Sequence, residues 1–452
     1  MKRYFARIAA IGLVMAVITA TPICTNLAVA QTAKSPAYTT TVAYVTEFYP
    51  LWFTFNQTRL VTDNQLVGPV RISPLYHYVV AINDDTLYAS AYANVADQPL
   101  VVTIPMTSVT YSILTLDAYG DIFETGIAPG TPGTYALTGP GWTGTLPPGV
   151  IPVPVPVNFF ALIFRADKFS NNVDQTELAE IFRTSLKAQV LSDYVANPKA
   201  GGTKIRPEIL FSPSFKLAAD SLIANHPVTF IKQLQQAVAS SNTPTLSAEQ
   251  ALLSETFNGL FNEDESNPDF AAGAQAALAL IVQVYQTHTG PTNWTNFQDI
   301  GAWGDHVIER SSITEFCQFC NGRKTAAYFH AFKDSNGDAL DGSNPKGYVL
   351  TFSAQQLPQA ARFWSVTAYT PDTIELIRNP ANKYVVASYT PELVTNNGSV
   401  SIFIAQQLPS GAPEPNWLPV SNGPFNIMLR VYGPQGSVTQ GLYIPPAIVP
   451  VQ

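Results

Sequence analysis

The hydrophobic period of this chain changes twice along its length, and each change restricts the class of element that can form. From about Tyr78 to Phe164, short runs rich in Tyr, Phe, Val, Ile and Thr ("TLYASAYANV", "PLVVTIP", "TYSILTLDAY", "NFFALIFRAD") are parted by Asp-Gln-Pro, Pro-Gly and Gly-Trp turns at the spacing of an antiparallel sheet. In "TYSILTLDAY" a period of two sets Tyr111, Ile113 and Thr115 on one face and Ser112, Leu114 and Leu116 on the other. Neither face is strongly polar, so both are expected to be covered. The period then lengthens. "DQTELAEIFRTSLKAQVL" opens with Asp174 and Glu177 in capping-box spacing, and Leu178, Ile181, Phe182, Leu186 and Val190 predict one helical face. "SFKLAADSLIANH" should stop at His226-Pro227, "PVTFIKQLQQAVAS" restart with proline in its first turn, "SAEQALLSETFNGLF" carry a capping box, and "PDFAAGAQAALALIVQVYQTH" form a largely apolar helix. Beyond "EFCQFC" the β pattern returns in "KTAAYFHAF", "KGYVLTF", "RFWSVTAYT", "KYVVASY", "SVSIFIAQQ" and "FNIMLRVYG".

The expected fold class is therefore α+β: two mostly antiparallel, sandwich or jelly-roll-like subdomains with a cluster of helices between them in sequence. The division reads as a leader over 1–30, a β-rich part over 31–170, a helical block and connection over 171–315 and a second β-rich part over 316–452. "VAYVTEFYPLWFTF", from Val42 to Phe55, is apolar at every period and fits a buried helix or a strand equally.

A chain of 452 residues can bury two or three cores, and its 46% hydrophobic and 12% charged composition suits sheets and ordered proline-bearing loops. A net charge of −8, with no basic stripe, argues against nucleic acid as a partner. "MKRYFAR", the apolar "IAAIGLVMAVITA" and Ala28-Val29-Ala30 have the order of a cleavable secretory signal ending near Ala30. The apolar run is shorter than the ~20 residues that span a bilayer, so a periplasmic or secreted protein with no stable membrane span is expected. Cys24 falls in the part removed. Cys317 and Cys320 remain as a C-x-x-C pair: half a zinc site, a redox motif without its strand and helix context, or a short-loop disulfide, the reading that an oxidising compartment favours.

"GPGWTG", Gly139 to Gly144, satisfies G-x-G-x-x-G, but "TLPPGVIPVPVPV" follows where a phosphate-binding helix must start, so a turn carrying Trp142 is expected. "DSNGDALDG" offers Asp334, Asn336 and Asp338 in calcium-loop spacing, yet Ala339 stands at the sharp bend and Pro345 at the bidentate position, which leaves a polar hairpin turn. His77, His226, His288, His306 and His330 show no paired zinc spacing. There is neither a G-x-S-x-G elbow nor a Walker loop. No cofactor is indicated.

"NDDTLYASA", "LDAY", "GPGW" and "FRAD", followed by "NWLP…GPF" and "LRVYGP", make an ordered set of phrases. From about Ile72 to Pro446 this set resembles the bacterial family that pairs domain of unknown function 1254 in the N-terminal part with domain of unknown function 1214 in the C-terminal part. The resemblance implies a helical cluster with two mostly antiparallel sheet subdomains, and no particular reaction. The matching positions are Asn83, Asp85, Thr86 and Tyr88, then Asp117 and Tyr119, Trp142, and Arg165. "GAWGDHVIERS" is similar to a further family phrase and adds Gly304, Asp305 and Arg310, with Trp303 and His306 where tyrosines are usual. Asn416, Trp417, Pro419, Pro424, Phe425, Arg430 and Tyr432 complete the set.

Asp84, Asp85, Asp117, Asp121 and Glu124 come from neighbouring β segments, so a sheet could gather them around a hard cation or as an acid/base pair. The alternative is structural: a turn at Asp84-Asp85, and Asp117 neutralised by Arg165 or Arg310. Two functions compete on these grounds. One is an exported binding module for a small molecule or envelope glycan, with Asn83, Tyr88, Tyr119, Trp142, Arg165, His306, Trp417 and Arg430 as contact residues. The other is a hydrolase or lyase working through Asp85, Asp117, Asp305 and Arg310, with or without a divalent metal.

Overall fold

Residues Pro36–Thr58, whose apolar pattern fits helix and strand equally, form helix α1. The computed structural model describes residues 34–77, 79–207 and 214–451, so the leader expected over 1–30 lies outside the described residues. After α1 come strands β1 (Val67–Pro69), β2 (Thr86–Asn94), β3 (Leu100–Ile104), β4 (Tyr111–Leu116), β5 (Gly133–Thr138), β6 (Ile151–Pro154) and β7 (Phe159–Asp167). A small hairpin of β8 (Phe169–Ser170) and β9 (Val173–Asp174), helix α2 (Thr176–Ser185), β10 (Lys187–Val190), helix α3 (Leu191–Ala196) and β11 (Lys204–Arg206) follow. The helical block is α4 (Phe215–Asn225), α5 (Pro227–Val238), α6 (Ala248–Glu263) and α7 (Pro268–Thr287). Strand β12 (Trp294–Thr295) and helix α8 (Val307–Cys317) lead to β13 (Ala326–Ala331), β14 (Tyr348–Phe352), β15 (Ala360–Tyr369), β16 (Val385–Ala387), β17 (Val400–Ala405), β18 (Trp417–Pro419) and β19 (Asn426–Pro434). Helix α9 (Gly436–Thr439) and β20 (Val449–Pro450) close the order, and the fold is α+β.

Each β-rich part is a sandwich of a five-stranded and a four-stranded sheet. The first pairs β11-β1-β2-β7-β4 with β10-β3-β5-β6; the second pairs β12-β13-β19-β15-β16 with β20-β14-β17-β18. Period-two alternation explains the layers. Leu87, Ala89, Ala91 and Ala93 of β2, with Phe160, Leu162, Phe164 and Ala166 of β7, face inward against Leu100, Val102, Tyr135 and Leu137. Ala327, Phe329, Ile427, Leu429 and Val431 do the same in the second sandwich. The opposite faces of the two five-stranded sheets are also buried, in a shared core with Tyr285, Ile313 and Phe316 of α7 and α8.

Helix α1 is buried on nearly every side, packed by α5, α6, α7 and α8. Pro50 lies inside it and cannot donate to the Thr46 carbonyl one turn back. Helix α8 fills the gap: Ser311 Oγ donates to Thr46 O at 2.7 Å, and Arg310 Nη2 donates to Glu47 O at 2.7 Å and Glu47 Oε1 at 2.9 Å. On the same helix Glu315 is fully buried and accepts from Tyr49 Oη at 2.5 Å and from Lys216 Nζ, which also meets Asp220 at 2.7 Å. Burial pushes the Glu315 carboxyl up to about 8 against the pull of Lys216.

Helices α4 to α7 fall where the pattern puts them. Pro227 sits in the first turn of α5, and Ser247 with Gln250 forms the capping box of α6. The segment after Asp174 departs from expectation. Helix α2 ends at Ser185, Leu178 and Ile181 are exposed, and Lys187–Val190 leaves the helix to pair with β3 as an edge strand. Asp174 makes a turn to Thr176 N at 2.8 Å instead of a capping box. Pairing with an open sheet edge outweighs continuation of an amphipathic helix there.

Candidate functional site

The buried outer faces of the two five-stranded sheets carry the same three-residue row. In the first, the ladder sets Tyr88 of β2 opposite Arg165 of β7, and Arg165 opposite Ser112 of β4. In the second it sets Tyr328 of β13 opposite Arg430 of β19, and Arg430 opposite Ser365 of β15. Ladder partners project to one face, so each row presents a guanidinium flanked by a phenol and a hydroxyl. Between the rows lies a cleft of about 760 Å³, open mouth included. Arg165, Arg430, Tyr88 and Tyr328 line it, with Ser90, Tyr92, Ala161 and Ile163 along the first sheet and Tyr76, Ile82 and Asn83 on the loop before β2. Gln318, Phe319 and Cys320, on the turn after α8, form the remaining wall.

Hydrogen bonds tie the two sandwiches together across this cleft. Asn83 Nδ2 donates to Tyr88 Oη at 2.6 Å and to Tyr432 Oη at 2.8 Å, while Asn83 Oδ1 accepts from Asp85 N at 3.0 Å. Arg165 donates to Asn321 Oδ1 at 2.6 Å and Phe319 O at 2.5 Å, and Asn321 Nδ2 donates to Tyr328 Oη at 2.8 Å. Arg430 donates to Ala81 O. Tyr88 lies 5.5 Å beneath the Arg165 guanidinium; burial pushes its phenol up, although Arg165 pulls the other way, so it stays a neutral donor. Both arginines are almost wholly buried, at 5% and 1% exposure. Arg165 Nε and Arg430 Nη1 have no hydrogen-bond partner among the described residues, and neither side chain has a carboxylate within ion-pair distance there. Asp85 is the buried anion nearest in electrostatic effect to Arg430, and its oxygens are taken by Ser365 Oγ at 2.8 Å and Tyr389 Oη.

Of the residues singled out from the sequence, Asn83, Tyr88, Arg165 and Arg430 meet at this cleft and Asp85 stands behind it. The others lie elsewhere. Asp85 precedes β2 at the Asp167 end of β7, while Asp117 follows β4 at the Ala161 end, so the two carboxylates are roughly 20 Å apart along the strand. They cannot form one acid/base pair. Asp117 Oδ1 closes a turn by accepting from Tyr119 N at 2.9 Å and Asp121 N at 3.0 Å; burial, with Asp121 beside it, pushes Asp117 up to about 6. Tyr119 packs under Arg310 at 4.6 Å, and Trp303 Nε1 donates to Gly120 O at 3.0 Å. Arg310 therefore ties α8 to α1 through Glu47 and to Tyr119. Asp305 and His306 are exposed, with His306 Nδ1 3.7 Å from Glu309. Asp84 pairs with Lys168 and Glu124 with Lys324, both at 2.9 Å. Trp142 is half-buried in the turn after β5, and Trp417 Nε1 donates to Ala405 O at 2.9 Å in the second four-stranded sheet. Cys317 and Cys320 stand at disulfide distance, Cα to Cα 5.5 Å, and the pair closes the turn that presents Phe319 O to Arg165. Asp334 Oδ1 accepts from Asn336 N at 2.8 Å and Asp338 N at 3.1 Å, a polar turn. Among the described residues no group of three or more His, Cys, Asp or Glu is placed to hold a metal ion.

Tyr76, Tyr92, Tyr328 and Gln318 were not legible as cleft residues, since each sits in an ordinary apolar run or loop. One signal was available: "FRAD" and "MLRVY" each put an arginine in the middle of an apolar strand, a costly place for a charge without a purpose.

Residues 64–189 match the family described as "Protein of unknown function (DUF1254)" and residues 325–436 the family described as "Protein of unknown function (DUF1214)". No curated protein matches the chain. The crystal structure of the VPA0106 protein from Vibrio parahaemolyticus is similar at TM-score 0.58 and 20% identity, covering 92% of this chain and 100% of that one, which shows a shared fold. An uncharacterized protein from Burkholderia cenocepacia aligns at TM-score 0.43 and 14% identity over 88% of this chain and 92% of its own. Among the described residues no helix is long and apolar enough to cross a membrane.

Proposed function

We propose, for a chain that belongs to the bacterial family pairing domain of unknown function 1254 with domain of unknown function 1214, that the mature protein is an exported binding module that takes a small molecule into the cleft between its two sandwiches. The observation that carries this reading is the composition of the cleft: mostly apolar and aromatic walls, with a few polar groups converging from both halves. Among the described residues no carboxylate lines it, and neither Asp85 nor Asp117, the pair a hydrolase or lyase would use, reaches the cavity. A glycan, rich in hydroxyl donors, would be served better by acidic and amide side chains than by these walls. Export rests on the leader over 1–30, and the C-x-x-C pair suits an oxidising compartment.

The test uses the chain from Gln31 onward in a thermal-shift screen of small molecules. A binding cleft gives ligands that raise Tm. Ser90→Phe, on the half-buried centre of the cleft floor, should leave the apo protein folded and abolish those shifts. Shifts that persist in both Ser90→Phe and Ala161→Leu would place the ligand elsewhere. Export is checked separately, by sequencing the N-terminus of the protein recovered outside the cytoplasm, which should begin at Gln31.

A further inference from the structure

The two Tyr–Arg–Ser rows are one motif used twice, because the two sandwiches are one topology used twice. In the first, β2 and β4 flank β7 antiparallel, β3 pairs with β5 antiparallel, β5 with β6 parallel, and β10 returns antiparallel to β3. In the second, β13 and β15 flank β19 antiparallel, β14 pairs with β17 antiparallel, β17 with β18 parallel, and β20 returns antiparallel to β14. The chain order of these strands is the same in both, and each last strand follows a short helix, α2 or α9. On this correspondence Tyr88, Arg165 and Ser112 take the places of Tyr328, Arg430 and Ser365. The cleft is where the two copies face one another.

The charges of the cleft do not balance. Among the described residues Asp84 is neutralised by Lys168 and Asp167 by Arg362, which leaves Arg165 and Arg430 against Asp85. The buried group therefore carries one net positive charge, in surroundings where an uncompensated charge is expensive. It also keeps unmade donors, Arg165 Nε and Arg430 Nη1. Because Asn321, Phe319 and Ala81 already take other guanidinium nitrogens, a carboxylate would draw one donor from each arginine, Arg165 Nε and Arg430 Nη1, and Tyr76, Tyr92, Val80, Ile82 and Ile163 supply walls for an apolar body. We infer that the cleft is a pseudo-two-fold oxyanion site whose ligand is a monocarboxylate with a compact apolar body, its head held between Arg165 and Arg430. This rests on the reading of the cleft as a small-molecule site and adds the class of molecule. A phosphate monoester, dianionic at neutral pH, would overcompensate the single charge.

Calorimetric titration of the chain from Gln31 onward with 3-phenylpropanoate, octanoate, 3-phenylpropanamide and phenyl phosphate tests it. The carboxylates should bind roughly ten-fold or more tightly than the amide, the range expected for charge-assisted hydrogen bonds, and more tightly than phenyl phosphate. Arg165→Met and Arg430→Met should each remove that advantage while leaving amide binding within about three-fold. Should these variants not fold, the wild type still decides, because carboxylate affinity must fall as pH drops through the ligand's own pKa. Amide binding as tight as carboxylate binding, and blocked by Ser90→Phe, overturns the monocarboxylate and leaves the cleft reading standing. Tighter phenyl phosphate binding overturns the single charge. Failure of both carboxylates to bind, while the thermal-shift screen yields a neutral cleft ligand, overturns the oxyanion site alone; failure of every molecule in both experiments overturns the cleft as well.

Discussion

His330 shows at the scale of one residue how this core handles ionisable groups. It sits on β13 between Tyr285 Oη at 2.9 Å and Asn426 Oδ1 at 2.7 Å, so both ring nitrogens are engaged by neutral partners. Burial, with the charge of Arg430 adding to it, pushes His330 down to about 3 from an ordinary 6.5. The folded state thus binds fewer protons than the unfolded state between those values, and the stability this residue contributes is whole above 6.5 and drains as pH falls toward 3. Asp117, raised to about 6, runs the other way: its contribution is present at low pH and lost as pH climbs through 6. A comparison with a variant separates the two. Urea unfolding of wild type and His330→Gln from pH 7 to pH 5 should show the variant's stability falling less steeply, by up to ~1.4 kcal/mol per pH unit. Equal slopes would mean that His330 titrates in the fold as it does in the unfolded chain. Neither the neutrality of His330 nor the isolation of Arg165 and Arg430 was legible in sequence. A residue's pKa and its partners depend on side chains that arrive from remote strands.

At the scale of elements, α1 and α8 are joined by a repair. Pro50 would normally break a helix, yet Ser311 Oγ takes the role of the missing donor toward Thr46 O, and Arg310 Nη2 braces the neighbouring Glu47 O. Ser311→Ala should cost about 1–3 kcal/mol, since it leaves a buried carbonyl unpaired. In a Pro50→Ala background, where residue 50 regains its N–H, the same change should cost clearly less. A double-mutant cycle by thermal unfolding checks this, and additive effects would show that the serine has another task. The sequence read α4 to α7 well, because proline at Pro227 and the Ser247/Gln250 box act locally. It misread α2, where the deciding partner, the edge of β3, lies far upstream. It left α1 open because a stretch apolar on every face carries no period to read.

At the scale of the whole molecule, the described chain from Pro36 onward is one compact unit, although its two sandwiches each have an inner core of their own. The third core, shared between their five-stranded sheets and α7 and α8, ties them together through Asn83, Arg165 and Arg430. Calorimetry should therefore give one transition with matching calorimetric and van't Hoff enthalpies, and a fragment ending at residue 207 should be poorly soluble, because it exposes Tyr88, Tyr92 and Ile163. Two resolved transitions would show the sandwiches to be independent. What the sequence determined by itself was the run of strands and helices, their turns and the ordered phrases of a two-part family. Those properties are written in local sterics and in the spacing of apolar residues. Only the tertiary structure decided that the two parts repeat one topology, that Arg165 and Arg430 line one cleft, and that Asp85 and Asp117 stand apart. Ladder register and through-space charge balance depend on which distant strands pair, and no spacing along the chain records that.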